Sequence, residues 1–276
     1  MRAFFHKILS FFMAIFAFFG IGKTPSQPDP PAHKPVKYIA HRGATFTAPE
    51  NTLPAFEGAA QDGCAGVELD VRQTKDGVLV VSHNADLCGL LNSVQTSRSI
   101  SGSTYAALCE LSLGRDAEYG EIRIPTLSQA LDLLRSLGLE AAVHCKLQDC
   151  DFLRQVARTV TQCGMSGRCA YNTEKDFRST ISAVLREDPA AAFHVPYNEA
   201  FADASLQTLV PGPAAIVVTV NVFSLTDQTA ARIREKGFSF YIWNVNAENL
   251  KTALNAAPDY IEFVSGVRVK ELTAGI

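Results

Sequence analysis

No Cys-x-x-Cys pair occurs among the seven cysteines of this 276-residue chain, which removes the ordinary zinc-ribbon arrangement. Seven is odd, so at least one thiol is unpaired. Cys64 and Cys145 lie in apolar runs and read as small buried hydrophobes, while a Cys163–Cys169 disulfide stays open on spacing alone. Positive charge is not in excess either. Taking Arg2, Lys7 and Lys23 from the 25 basic groups leaves residues 24–276 with 22 basic against 28 acidic, net −6. Such a body lacks the Lys/Arg surplus that binds nucleic acid, so a phosphate-bearing ligand must rely on a few local cations or a metal. There is no internal repeat, and no low-complexity run beyond one short Pro-rich spacer.

Acidic residues are missing from the first 23 positions. Basic "MRAFFHK" precedes the uncharged "ILSFFMAIFAFFGIG", whose fifteen residues suit a signal-peptide core and fall short of a membrane span of about 20. No A-x-A cleavage site follows. Residues 1–23 therefore read as a signal peptide or an uncleaved membrane anchor, with a buried N-terminal helix as the remaining alternative. Either of the first two places the body outside the cytoplasm, secreted or membrane-anchored. Residues 24–36 form the Pro-rich linker.

From residue 37 short β-rich runs alternate with helical stretches. Strands are expected at 36–40, 65–71, 77–82, 139–145, 168–172, 190–195, 215–220, 238–245 and 260–264, with helices such as 125–137 and 151–163 between them. Between "VELDV" and "VLVVS" only "RQTKDG" intervenes, too short for a parallel crossover, and Asp-Gly is a hairpin signal. One strand therefore folds back, and eight parallel strands remain in 37–276. That is the size of a (β/α)8 TIM barrel with a β-hairpin after strand 2; a doubly wound open sheet is the alternative. Residues 84–124, rich in Ser, Gly and Thr, are expected to make a small helical insertion over the barrel mouth.

Strand ends open onto the active face of such a barrel. They carry His41 and Arg42, Glu68 and Asp70, His144 and Lys146, then Asn172, His194, Asn221 and Trp243. Strand alternation puts Glu68 and Asp70 on one face. Two buried carboxylates repel one another and lose hydration, so a cation between them is the natural partner, with a solvated edge pair as the alternative. Hairpin pairing sets residues summing to about 151 opposite each other and returns His83 beside that pair. His194 reads as an ordinary strand-end histidine.

Taken together, "HRG…PENT…VELDV…TKDG…VVSHN…RIPTL…K…W" resembles the glycerophosphodiester phosphodiesterase family over about residues 38–265. The resemblance implies a (β/α)8 barrel with a small insertion after the second catalytic histidine. It also implies divalent-metal-dependent hydrolysis of a small glycerophosphodiester to glycerol phosphate and an alcohol. By position, His41 and His83 match the general acid and base, and Glu68 and Asp70 match metal ligands. Arg42 and Lys146 match phosphate-facing cations, and Trp243 matches an aromatic wall against glycerol. Glu50 and Asn51 match residues bracing the His41 loop, or a helix cap. Three positions depart from the pattern. His144 replaces a Glu ligand, which moves metal preference from Ca²⁺ or Mg²⁺ towards Mn²⁺, Zn²⁺ or Co²⁺. Asn84 replaces an Asp after His83, and "VS" (264–265) replaces "TD". These departures leave two further readings open: a non-catalytic phosphodiester-binding protein, and a lysophospholipase D-like enzyme with an acyl groove at Leu87–Leu91.

Overall fold

A computed structural model of the chain describes residues 35–87, 98–116, 120–172, 177–202, 204–212 and 215–274. The leader and all but the last two residues of the linker lie outside these residues. No described helix is long and apolar enough to cross a membrane.

The body is built on β1 (Lys37–His41), β2 (Gly66–Gln73), β3 (Leu79–Val81), the small ribbon β4 (Gly114–Asp116) and β5 (Gly120–Ile122), then β6 (Glu140–Cys145), β7 (Cys169–Asn172), β8 (Ala192–Pro196), β9 (Ile216–Asn221), β10 (Ser239–Val245) and β11 (Tyr260–Phe263). Every expected strand is present within a few residues. The order β1-β11-β10-β9-β8-β7-β6-β2-β3, with β1 also bonded to β2, closes eight parallel strands into a barrel and leaves β3 antiparallel outside the ring. An open sheet is thereby excluded. The hairpin pairs Val71 with Val81 and Arg72 with Val80, one residue from the expected register.

Alternation explains how the strands serve two surfaces. Val67, Leu69 and Val71 of β2 are fully buried against the helices, while Glu68 and Asp70 face inward. The helices show why they start and stop where they do. α1 spans Leu53–Gln61 and α2 Tyr105–Cys109. α3 (Leu127–Leu137) opens on a reciprocal Thr126/Gln129 capping box and ends at the left-handed Gly138. Its Leu127, Ala130, Leu131 and Leu134 recur at helical spacing and are fully buried. α4 (Cys150–Gln162) is capped by Asp149 and buries Phe152, Leu153, Val156, Ala157 and Val160. Removing one such side chain, Leu131→Ala, costs about 2–5 kcal/mol.

Gly66 meets a close approach: a Cβ there would stand 2.7 Å from the Glu140 carbonyl oxygen, so β2 and β6 need the glycine to pair at this register. The insertion differs from expectation. Its described part holds one five-residue helix, α2, and the β4–β5 ribbon, and it buries Leu87, Ile100, Leu108, Leu113, Ile122 and Ile124 with Val80 in a core of its own. It packs on the hairpin, with Lys75 N–H donating to Ser103 O and Tyr105 N–H to Asp76, and none of its described residues lines the barrel mouth. Leu87 is therefore core; residues 88–91 of the expected acyl groove lie outside the described residues. Cys163 and Cys169 are both free thiols, so that disulfide does not form, and Cys64 and Cys145 are buried as expected.

Candidate active site

β1 ends on His41, and the chain then turns through two left-handed residues, Arg42 (φ +58) and Gly43 (φ +87). A Cβ on Gly43 would lie 2.8 Å from the backbone of Ala55, so the turn admits glycine alone. The Arg42 amide donates to Glu68 O (3.0 Å), and its carbonyl accepts from the Asn51 amide (3.0 Å), locking the turn between β2 and the "PENT" segment.

That segment braces charges rather than a helix end. Glu50 receives both Arg42 Nη1 contacts, at 3.1 and 3.0 Å. Asn51 Nδ2 donates to Asp70 Oδ2 at 2.8 Å, and Asn51 Oδ1 accepts from the Asp70 amide at 3.2 Å. The residue before α1 is Thr52, whose hydroxyl donates to Pro49 O and makes no side-chain cap.

A cavity of about 660 Å³ opens at the C-terminal ends of the strands, lined by His41, Arg42, Glu68, His83, His144, Lys146 and Trp243 among others. Asp70 lies buried behind this wall, and Glu50 and Asn51 stand behind Arg42 and Asp70. Neighbouring strands thus bring all ten expected residues to one end of the barrel. Glu68, Asp70 and His144 each place a ligand atom within 4.8 Å of the other two. His83 shares the cavity but stands outside this trio, so the imidazole that joins the two acids comes from β6 and not from the hairpin.

The charges are tightly balanced. Asp70 Oδ1 lies 2.9 Å from Lys146 Nζ and 3.4 Å from His144 Nδ1, and its Oδ2 lies 3.4 Å from Arg42 Nε. Burial alone would raise Asp70, but His144, Lys146 and Asn51 hold it well below the usual carboxylate range. Glu68 has fewer such partners. Burial raises it, and its Oε2 is a buried oxygen with no hydrogen bond, 3.9 Å from His41 Nε2. His144 goes up to about 9 because the two carboxylates outweigh its burial. Burial, then the Arg42 charge, lowers His41 to about 4, so it is neutral near pH 7. Both Nδ1 atoms of the paired histidines are engaged: His41 with Ser265 Oγ (3.0 Å) and His83 with Asn84 Oδ1 (2.9 Å). Asn84 is thus a partner of His83 in place of the acid.

Two features escaped the sequence reading. Glu262 of β11 faces the cavity, takes a hydrogen bond from Tyr241, and is raised to about 8 by burial and by the Glu68 charge. A lone acid inside the apolar run "YIEFV" was the available signal. Ser265 lay within one of the departures from the family pattern. His194, near the end of β8, lines the cavity yet is 4% exposed, packs its ring tilted against Tyr241 at 4.5 Å between centroids, and is lowered to about 3 by burial and the His144 charge.

Comparison with known proteins agrees with this geometry. The chain is 36% identical over 129 residues to mouse glycerophosphodiester phosphodiesterase 1, covering 41% of this chain and 36% of that one. It is 39% identical over 100 residues to the Bacillus altitudinis glycerophosphodiester phosphodiesterase, 36% of this chain and 40% of the relative. The matches therefore span well under two thirds of either relative. The fold is similar to that of an Agrobacterium tumefaciens glycerophosphodiester phosphodiesterase, with TM-score 0.70, 20% identity, and 85% and 99% of the two chains covered. It is also similar to that of an Oleispira antarctica phosphodiesterase in complex with the product sn-glycerol-3-phosphate, with TM-score 0.71, 19% identity, and 86% and 96% covered. Residues 41–270 match the glycerophosphoryl diester phosphodiesterase family, and the chain belongs to it.

Proposed function

We propose that this protein hydrolyses small glycerophosphodiesters to glycerol phosphate and an alcohol, using a divalent cation and two histidines. The observation that carries the reading is the convergence on one cavity of His41, His83, Glu68, His144 and the cations Arg42 and Lys146, with Asp70 completing the acid–imidazole trio just behind its wall. The trio fits a divalent ion. Its donors are two carboxylates and an imidazole, and Glu68 Oε2 is a buried acceptor without a hydrogen bond. A nitrogen among the donors suits Mn²⁺, Zn²⁺ or Co²⁺ better than Ca²⁺ or Mg²⁺. A cation held there would neutralise charge on a phosphoryl oxygen.

The chain's own groups do the rest. Arg42 is oriented by Glu50 and Lys146 by Asp70, so both present fixed positive charge to a phosphate. With Nδ1 engaged in each, His41 and His83 exchange protons at Nε2. One takes a proton from the nucleophile, either water or the substrate's glycerol hydroxyl, and the other protonates the leaving alkoxide. Trp243, half-exposed at the mouth, offers a face to the glycerol or its alcohol partner. Residues 1–23, as a leader or anchor, would place this chemistry outside the cytoplasm.

A second substrate reading has its own support. Of the four exposed large apolar side chains among the described residues, Leu147, Phe223 and Trp243 all follow or end barrel strands at the mouth. They are the natural seat for the acyl chain of a lysophospholipid. The test is turnover of glycerophosphocholine and of lysophosphatidylcholine with Mg²⁺, Ca²⁺, Mn²⁺, Zn²⁺ or Co²⁺, in the parent, His41→Ala and His144→Glu. The expected result is turnover that is lost by about 10²-fold or more in His41→Ala, with His144→Glu moving preference towards Mg²⁺ or Ca²⁺. Absence of turnover with every metal, alongside retained phosphate binding, would support a binding protein instead.

A further inference from the structure

His41 and His83 are held alike, although they come from different parts of the chain. His41 ends β1 and meets Ser265, two residues past β11, at 3.0 Å through Nδ1. His83 follows β3 and meets the side-chain oxygen of Asn84 at 2.9 Å, again through Nδ1. In each case the partner is a neutral oxygen, and in each the engaged nitrogen is the one that leaves Nε2 open to the cavity. The seat of each ring is fixed from its other side. His41 stands in register with Glu68, and the amide of the next residue bonds Glu68 O. The His83 carbonyl accepts from Arg72 Nε and Nη2 at 3.0 and 2.6 Å. The Ser265 loop is tied down in turn, since the Val264 amide donates to Val245 O at 2.9 Å and Gly266 turns the chain at φ +83.

We propose that Ser265 and Asn84 are the positioning residues of this site, aiming Nε2 of His41 and His83 at the reacting atoms. A hydroxyl carries one donor and two acceptor sites. When Nε2 exchanges the proton, Nδ1 carries hydrogen in both the neutral ring and the imidazolium, so the Ser265 hydroxyl accepts from Nδ1–H throughout the cycle and holds the ring without a charge. A carboxylate in that place could only accept and would bias the ring towards the charged form. The inference rests on the two-histidine reading above, because aim matters only if Nε2 exchanges protons.

The test is steady-state kinetics of the full, metal-loaded chain with glycerophosphocholine. Ser265→Ala and Asn84→Ala are each expected to lower kcat about tenfold while KM moves less than twofold, since ring aim is felt in the transition state and not in phosphate binding. Ser265→Thr, which keeps the hydroxyl, restores kcat. Ser265→Asp raises one limb of the kcat/KM–pH profile by about one unit, whereas Ser265→Ala leaves both limbs in place. Ser265 is exposed, so these variants fold. Parent-like kcat in Ser265→Ala, or no recovery in Ser265→Thr, would overturn the inference. If His41→Ala itself keeps turnover, the two-histidine reading falls instead. Loss in His41→Ala without loss in Ser265→Ala removes only the positioning role.

Discussion

Asn51 offers a sharp test of how the acidic pair is held in place. The residue is 2% exposed, adopts φ +58, and spends both ends of its amide on Asp70. Removing the side chain takes away a hydrogen bond to an ionised carboxylate, worth about 1.5–3 kcal/mol, and one to a buried main-chain amide, worth roughly 1 kcal/mol. Asn51→Gly tolerates the left-handed backbone and isolates that loss, so about 2–4 kcal/mol of stability should go. Asn51→Ala adds the strain of a left-handed alanine, about 1–2 kcal/mol more. Asn51→Asp keeps the shape but sets a second carboxylate against Asp70 Oδ2. It should destabilise the chelated protein most, and the deficit should shrink when a divalent ion is added. Urea unfolding with and without chelator reads all three. The reasoning fails if Asn51→Gly lies within about 0.5 kcal/mol of the parent, or if Gly is worse than Ala.

Two further outcomes follow from other groups. Glu262 binds its proton more tightly folded (about 8) than unfolded (near 4.5), so the folded state loses stability as pH rises between those values. Glu262→Gln, which mimics the protonated acid, should melt above the metal-free parent by a margin that widens from about pH 5 to 8, and a constant margin would refute this. Trp243 is the only tryptophan in the chain and sits at the cavity mouth. Its emission should respond to sn-glycerol 3-phosphate in the presence of a divalent ion, and Lys146→Ala should weaken that response at least tenfold in apparent affinity. An unaltered titration would separate Lys146 from the phosphate.

The barrel was readable because the physics that sets it is local. Alternation along "VELDV", the Asp-Gly turn and capped amphipathic helices such as 127–137 each state their own conformation, and the hairpin register came within one residue. The inward aim of Glu68, Asp70 and His144 was legible for the same reason, since strand parity fixes which side chains point inward. What stayed hidden depends on distant pairings. Nothing near Asn51 announces that its amide will meet Asp70, nor does "VSG" announce that Ser265 will meet a histidine 224 positions earlier. The insertion misled because Ser and Gly content describes exposure, whereas its apolar residues 87, 100, 108, 113, 122 and 124 are scattered without a period. They become a core only once β3 supplies Val80 beneath them.

That separate core bears on how the protein fails. Among the described residues lining the cavity, His83 alone is mounted outside the closed ring of parallel strands and the loops and helices that follow them, just after β3 and beside the small cluster packed on it. Leu79 and Val81 tie β3 to the main core, but the cluster of seven buried side chains on its other side is a weaker fastening than that interior, and weakly fastened units open first. Gentle heating or dilute urea should therefore silence turnover while far-ultraviolet dichroism still reports an intact barrel. A hydrophobic truncation such as Ile100→Ala would bring that silent interval forward without moving the main unfolding step.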